Sequence, residues 1–174
     1  ASGTISGKWQ NSWYNVGASH YNTQGFDSRA LIPGSFGVDQ PEADGYYNTA
    51  VNARVGHRFD NAAEIEASFL RSEGRTEYDG TFQDKTRFIN QVASLSGSMD
   101  VMDDWRSTLR LGHSFDNNDQ FAPDKSFASN FYTQRWNATW LNEFTITDNH
   151  QFTLGSDYRL DEVDSNDLDS FNPG

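Results

Sequence analysis

The chain has 174 residues, 35% hydrophobic and 14% aromatic, with 25 acidic against 13 basic residues and a formal net charge of -12. No stretch approaches the roughly 20 apolar residues of a membrane-crossing helix. The acidic excess disfavours a nucleic-acid partner, because phosphate backbones are held by clustered Lys and Arg. Absence of Cys excludes a disulfide framework and any thiolate metal site.

What the chain carries instead is a rhythm of two. Strands are predicted at about 1–7, 8–22, 45–59, 63–77, 85–99, 105–115, 130–145 and 150–163. In the third, Val51, Ala53 and Val55 alternate with Asn52, Arg54 and Gly56, and in the fourth Ile65, Ala67 and Phe69 alternate with Glu64, Glu66 and Ser68. The sixth sets Leu109 and Leu111 against Thr108, Arg110 and Gly112. The seventh sets Tyr132, Trp136, Ala138, Trp140 and Phe144 against Thr133, Asn137, Thr139 and Glu143. Successive side chains of a strand point to opposite faces, so each segment has one apolar and one polar face.

The connectors sort into two classes. Short turns are predicted around Gly7–Lys8, Asp60-Asn61-Ala62, Val101–Asp104 and Thr147-Asp148-Asn149, and long acidic loops at about 23–44, 78–84 and 116–129. Antiparallel neighbours joined this way place the short turns on one rim and the long loops on the other. The reading is all-β, an antiparallel up-and-down meander of about eight strands forming a segment of a transmembrane β-barrel, with lipid on the apolar side and a polar lumen on the other. Aromatics near strand ends (Trp9, Trp13, Tyr21, Tyr46, Tyr47, Phe59, Trp105, Phe115, Phe131 and Phe144) fit girdles at the two interfaces. A soluble antiparallel sandwich or small barrel acting as a ligand-binding module alternates equally well. Strands of 13–15 residues, against a usual mode of about 5–6, and charged Arg54, Arg58, Glu64 and Glu66 opposite the aliphatic residues favour the membrane wall.

Particular stretches carry a resemblance. They are Trp13-Tyr14-Asn15-Val16-Gly17-Ala18-Ser19-His20-Tyr21 with Gly25-Phe26-Asp27, then Glu42-Ala43-Asp44-Gly45-Tyr46 leading into Asn52-Ala53-Arg54-Val55-Gly56-His57-Arg58-Phe59. Glu77-Tyr78-Asp79-Gly80 and Ser107-Thr108-Leu109-Arg110-Leu111-Gly112 follow. In this order they resemble the barrel of TonB-dependent outer-membrane receptors, most of all the cobalamin receptors. That resemblance implies a bacterial outer-membrane location, lipid around the wall, and import of a cobalamin-like ligand, or of a siderophore, since the two receptor types share a barrel and differ in loops. It implies no catalytic residue. Family members carry an N-terminal plug that contacts TonB and a barrel of 22 strands, so residues 1–174 are expected to be a middle portion of such a barrel. TonB would be met only through the absent plug, and the outer strands would be free to pair with another copy.

The resemblance also implies calcium at the external loops. Asp27 matches the acid after a Gly-aromatic step, Glu42 and Asp44 the paired acids before Gly45, Asp79 the acid after a Tyr, and Asp84 the acid at the next strand's start. Glu42 stands where an Asp is expected. Together with Asp39 these residues form an oxygen-rich set of the kind a hard cation takes, although solvated loops are rich in Asp for simpler reasons. Asp116, Asn118, Asp119 and Asp124 form a further acidic stretch without the glycine an EF-hand loop requires. His20, His57, His113 and His150 have no metal-ligand spacing. Glu64 and Glu66 could imitate a glycosidase pair but read better as lumen acids. Trp136 and Trp140, alternate members of an apolar face, are expected on lipid or in a core. Asn137-Ala138-Thr139 falls in mid-strand, where a glycosylation acceptor has no meaning.

Overall fold

The computed structural model describes residues 1–27 and 42–166, and it is one sheet. Its strands are β1 (Ser2–Trp9), β2 (Ser12–Thr23), β3 (Tyr46–Arg58), β4 (Glu64–Glu77), β5 (Lys85–Met102), β6 (Trp105–Phe121), β7 (Phe127–Thr147) and β8 (His150–Ser165). They pair antiparallel in chain order, β1-β2-β3-β4-β5-β6-β7-β8, and β1 does not meet β8, so the sheet is open.

The registers turn eight separate alternations into continuous rows. One row runs Ile5, Val16, Ala53, Phe69, Ala93, His113, Trp136, Leu160. Two residues away on the same face lies Gly7, Tyr14, Val55, Ala67, Leu95, Leu111, Ala138, Tyr158. Between them, on the opposite face, runs Ser6, Asn15, Arg54, Ser68, Ser94, Gly112, Asn137, Arg159. A register slip of one residue would mix these rows on every strand, so the pattern itself holds the pairing.

No second layer covers the apolar rows among the described residues. Among the described residues no apolar side chain is buried, and Val51, Leu111 and Trp136 stay 42%, 43% and 52% exposed. A β-sandwich buries the inner faces of two sheets against each other, so the sandwich alternative is not what these strands build.

Two expectations about connectors are corrected. The first turn is not at Gly7–Lys8 but at Gln10–Asn11, with Trp9 opposite Ser12 and Gln10 at φ 51. Gly7 sits in the strand, where the Tyr14 ring lies across it, so its missing side chain serves cross-strand packing and not a bend. The stretch 116–129 is not a long loop either. β6 runs on to Phe121 and β7 starts at Phe127, leaving a five-residue hairpin. Ala122 and Ser126 close it by Ala122 N–H to Ser126 O (3.0 Å) and Lys125 N–H to Ala122 O (2.7 Å), with Lys125 at φ 68. A turn followed by a left-handed residue is a standard short hairpin closure, and Pro123 and Asp124 suit its first positions.

Asp124 secures that hairpin by accepting from both the hydroxyl and the amide of Ser126. The Ser126 hydroxyl, then its amide, hold the Asp124 carboxyl below the usual carboxylate range. A depressed folded value means the stabilisation is fully present above the ordinary pKa of about 3.9 and lost as pH falls through the lower folded one. The expected NMR titration midpoint of Asp124 therefore lies below that of a free Asp, and Ser126→Ala moves it back up. A midpoint equal to a free Asp in the wild type would remove this cap.

Candidate functional site

The chemistry of the molecule gathers on the polar face near the short turns. Strand alternation aims Lys8, Trp13, Arg54, Arg58, Glu64, Glu66, Arg106, Arg110 and Glu143 to that side. Arg54 pairs with Glu66 at 2.8 Å and Arg58 with Glu64 at 2.8 Å. Glu66 also accepts from the Trp13 indole at 3.1 Å, and that indole lies over Gly56, where any side chain would collide with it. Arg106 joins Asp100 at 2.7 Å and the Ser98 hydroxyl at 2.9 Å. The face is hollowed: a concavity of about 470 Å³ is lined by Lys8, Trp13, Arg54 and Glu66, and one of about 370 Å³ by Glu64, Ser96, Arg110 and Glu143. Lys8, Arg110 and Glu143 form no side-chain hydrogen bond or ion pair among the described residues. The expected placement of Arg54, Arg58, Glu64 and Glu66 opposite the aliphatic residues is what the registers show.

Toward the long-loop rim the same face changes character. Tyr21, Tyr46 and Phe88 form an aromatic shelf, with centroids 5.9 Å apart for Tyr21–Tyr46 and 6.1 Å for the stacked Tyr46–Phe88. Asn48 donates to the Tyr46 hydroxyl at 3.1 Å and accepts from Ser72 at 2.8 Å. The expectation of an outer girdle is corrected for Trp13, Tyr21, Tyr46 and Phe131, since all four lie on the polar face. The signal is present in the numbering: Tyr21 shares parity with Asn15 and Gly17, and Phe131 with Arg135 and Asn137. Trp9, Tyr47, Phe59, Trp105, Phe115 and Phe144 do point to the apolar side. There Trp105 stacks on Phe144 at 5.6 Å and donates to Asn142 at 3.0 Å.

The acidic loop residues share one rim. Glu77 N–H donates to Gly45 O (2.9 Å), tying the β2–β3 connection to β4, and within the next loop Tyr78 N–H donates to Asp84 O (2.9 Å). Asp84 N–H then reaches Phe121 O at 3.1 Å. Asp44 N–H donates to Phe26 O (3.2 Å), beside Gly25, whose φ of 68 and contact with the Asp44 carbonyl leave no room for a side chain. Asp27 and Glu42 are exposed there. One Asp84 carboxylate oxygen is shielded from solvent and has no hydrogen-bond partner among the described residues. Asp39 lies outside the described residues. Among the described residues no three His, Asp or Glu side chains come together to hold a metal.

Asp116, Asn118 and Asp119 are strand residues of β6, with Asn118 donating to Asp116 at 2.6 Å and Asp119 accepting from Asn130 at 2.7 Å. His20, His57 and His150 meet hydroxyls of Thr49, Ser12 and Thr147 at 2.8, 2.8 and 2.9 Å, and His113 packs on Trp136 with centroids 4.1 Å apart.

No family model matches the chain. Over 162 residues, 90% of its length, it is 24% identical to the vitamin B12 transporter BtuB of Photobacterium profundum. The chain spans about a quarter of the length of that relative, the match covering 25% of it.

The polar-face ion pairs are part-exposed, so solvent screening leaves each a small contribution. Glu66→Gln, which retains an acceptor for the Trp13 indole, is expected to lower stability only slightly in denaturant unfolding. Glu66→Leu is expected to cost more, because the indole N–H and Arg54 both lose their partner. Equal losses for the two variants would show that the indole bond contributes nothing.

Proposed function

We propose that this chain forms part of the wall of a TonB-dependent outer-membrane transporter that takes up a cobalamin-like ligand, or another large and scarce nutrient such as a siderophore. One observation carries the reading: two apolar rows cross all eight strands, and among the described residues no protein layer covers them. Lipid is the cover that asks for no second sheet, and closed barrels are how strands cross it. On the apolar face of β6, Trp105 and Phe115 are ten residues apart. That is roughly 33 Å along the strand and about 25 Å at the 35–45° tilt of membrane strands, the height of an apolar band. The likeness to a vitamin B12 transporter supports the same reading and points to the ligand class.

In this reading the hollowed face of Arg54, Glu66, Arg106 and Arg110 lines a hydrated lumen. Ligand meets the long-loop rim first, where the Tyr21–Tyr46–Phe88 shelf offers ring surface above a polar wall. The segment performs no catalytic step, and contact with TonB falls to a plug domain outside these residues. Calcium belongs to the proposal only as far as the loops of Asp27, Glu42, Asp44, Asp79 and Asp84 share a rim; such a cation would order them before ligand docks.

Single-tryptophan variants reconstituted in bilayers test the wall. Trp136 is expected to be quenched by brominated lipid chains and Trp13 by aqueous iodide. Leu111→Arg should lower stability by about 2–4 kcal/mol or block insertion, whereas Ser94→Arg on the polar row should be tolerated. Quenching of Trp13 and Trp136 by the same reagent would sink the reading. Calcium has its own test, in which titration raises the wild-type Tm and fails to do so in the Asp44→Ala/Asp79→Ala variant. An unchanged wild-type Tm removes calcium and leaves the wall standing.

A further inference from the structure

We infer that the Tyr21–Tyr46–Phe88 shelf is a stacking site for an uncharged, fused heteroaromatic ring carried by the ligand. Its place as a first contact rests on the transporter reading, whereas the platform stands on register and ring geometry alone. Tyr21 of β2, Asn48 of β3, Gly74 of β4 and Phe88 of β5 stand opposite one another in one row of the polar face. Tyr46 comes from the next row toward the rim, between Thr23 and Thr76.

Gly74 makes the platform. Side chains of a strand stand roughly perpendicular to their sheet. The gap at Gly74 lets Phe88 do otherwise: a Cβ there would lie 2.6 Å from the Phe88 ring, so that ring leans across β4 toward Tyr46. The planes of Tyr46 and Phe88 are 19° apart and their centroids 6.1 Å apart. Rings in face contact lie about 3.5–4 Å apart, so these two are offset by most of a ring's width and neither covers the other's face. Tyr21, 60% exposed, adds a third ring tilted 50° to Tyr46. Two nearly parallel ring faces side by side match a fused pair of flat rings, an area that a single saturated sugar ring does not have.

The surroundings set the charge of the ring and the chemistry of its edge. Around the shelf the polar-face positions of β2 to β5 are Thr23, Asn48, Ser72, Thr76, Thr86 and Asn90, none of them charged. An anion therefore finds no cationic group on this stretch of wall. The acids that border it are engaged or covered. Glu77, whose carboxylate lies beside Gly45, is held by Arg75 and Lys85 at 3.4 Å each, and Asp116 of β6 accepts from Asn118 at 2.6 Å. The unpartnered Asp84 oxygen is shielded from solvent. At the edge, the Tyr46 hydroxyl accepts from Asn48 at 3.1 Å while Asn48 accepts from Ser72 at 2.8 Å, which leaves the Tyr46 O–H free to donate. The Tyr21 hydroxyl has no hydrogen-bond partner among the described residues. A ring nitrogen, with its lone pair in the plane of the ring, is an acceptor that such phenols meet at the edge of a stack.

The experiment uses the full chain in nonionic detergent micelles, with benzimidazole as the probe at a pH where it is uncharged. Binding is read by the upfield ring-current shift of the probe's protons and by saturation transfer from isotope-labelled Tyr and Phe rings. Saturable binding with an upfield shift is expected. Phe88→Leu and Tyr46→Leu should each weaken it about tenfold, the scale of one lost stacking partner. Tyr46→Phe keeps the ring and loses the hydroxyl, so it should cost about fivefold and leave the upfield shift in place. Phe131→Leu, in the same row of the face but two strands beyond Phe88, should change binding less than twofold. Tetramethylammonium or methyl glucoside bound as tightly as benzimidazole would overturn the assignment, as would a Phe88→Leu variant that binds like the wild type. No benzimidazole binding by a chain whose Trp136 is quenched by brominated lipid overturns the stacking site and leaves the wall. Binding together with Trp136 shielded from lipid keeps the stacking site and removes the wall.

Discussion

The interaction on which everything else rests is the antiparallel ladder, in which every strand finds its partner in the next strand of the sequence. Because the side-chain period is two, one correct register between two strands places all of their apolar residues on one side. Seven such registers in succession carry the rule from Ile5 to Leu160 without a break. The sheet is stabilised by cross-strand neighbours and backbone hydrogen bonds and not by an enclosed core, since the described residues bury no apolar side chain. Such a sheet leaves the cover of its apolar face to its surroundings, and a bilayer is the cover that the proposed function supplies.

The two faces then take separate work. On the polar face, close pairs of opposite charge let Arg54, Arg58, Glu64 and Glu66 share a hollow at little cost, since each charge has a partner and water as well. Glycines assist by making floor space: Gly56 lies beneath Trp13 there, as Gly7 lies beneath Tyr14 on the apolar face, so large rings fold down on the sheet instead of standing off it. On the apolar face, aromatic groups mark the ends of the band, and Trp105 satisfies its indole through Asn142, one of two buried polar side chains among the described residues. At the far rim the charge pattern becomes irregular. There Arg75 and Arg87 stand opposite one another, with Glu77 3.4 Å from Arg75 and Asp119 across the ladder from Arg87.

The corrected connectors share a cause. Glycine reads as a turn signal at Gly7, yet Gln10 adopts the left-handed conformation because the Tyr14 ring needs Gly7 within the strand. Acidic and amide residues read as a loop at 116–129, yet β6 runs on to Phe121 and β7 starts at Phe127, with polar residues on both faces of the ladder there. Asn117, Asp119 and Asn130 sit in β6 and β7 and bond across the ladder, so polar composition is no guide to where the strands stop. The girdle residues show the converse. Being aromatic near a strand end does not decide the face; parity does, and parity sends Trp13, Tyr21, Tyr46 and Phe131 to the polar side.

The sequence alone determined the class of fold, the order of eight strands, and which residues of each strand share a side, because alternation is a local property that needs no partner to be visible. It also held the acidic residues of the rim and the charged residues of the hollow. Only the tertiary structure decided which residues stand opposite one another, and with that the single uncovered layer, the Trp13–Glu66–Arg54 contact, the aromatic shelf and the opposed Arg75 and Arg87. Those depend on register between strands, and register is set by cross-strand packing and the position of each turn, neither of which is written within any one strand.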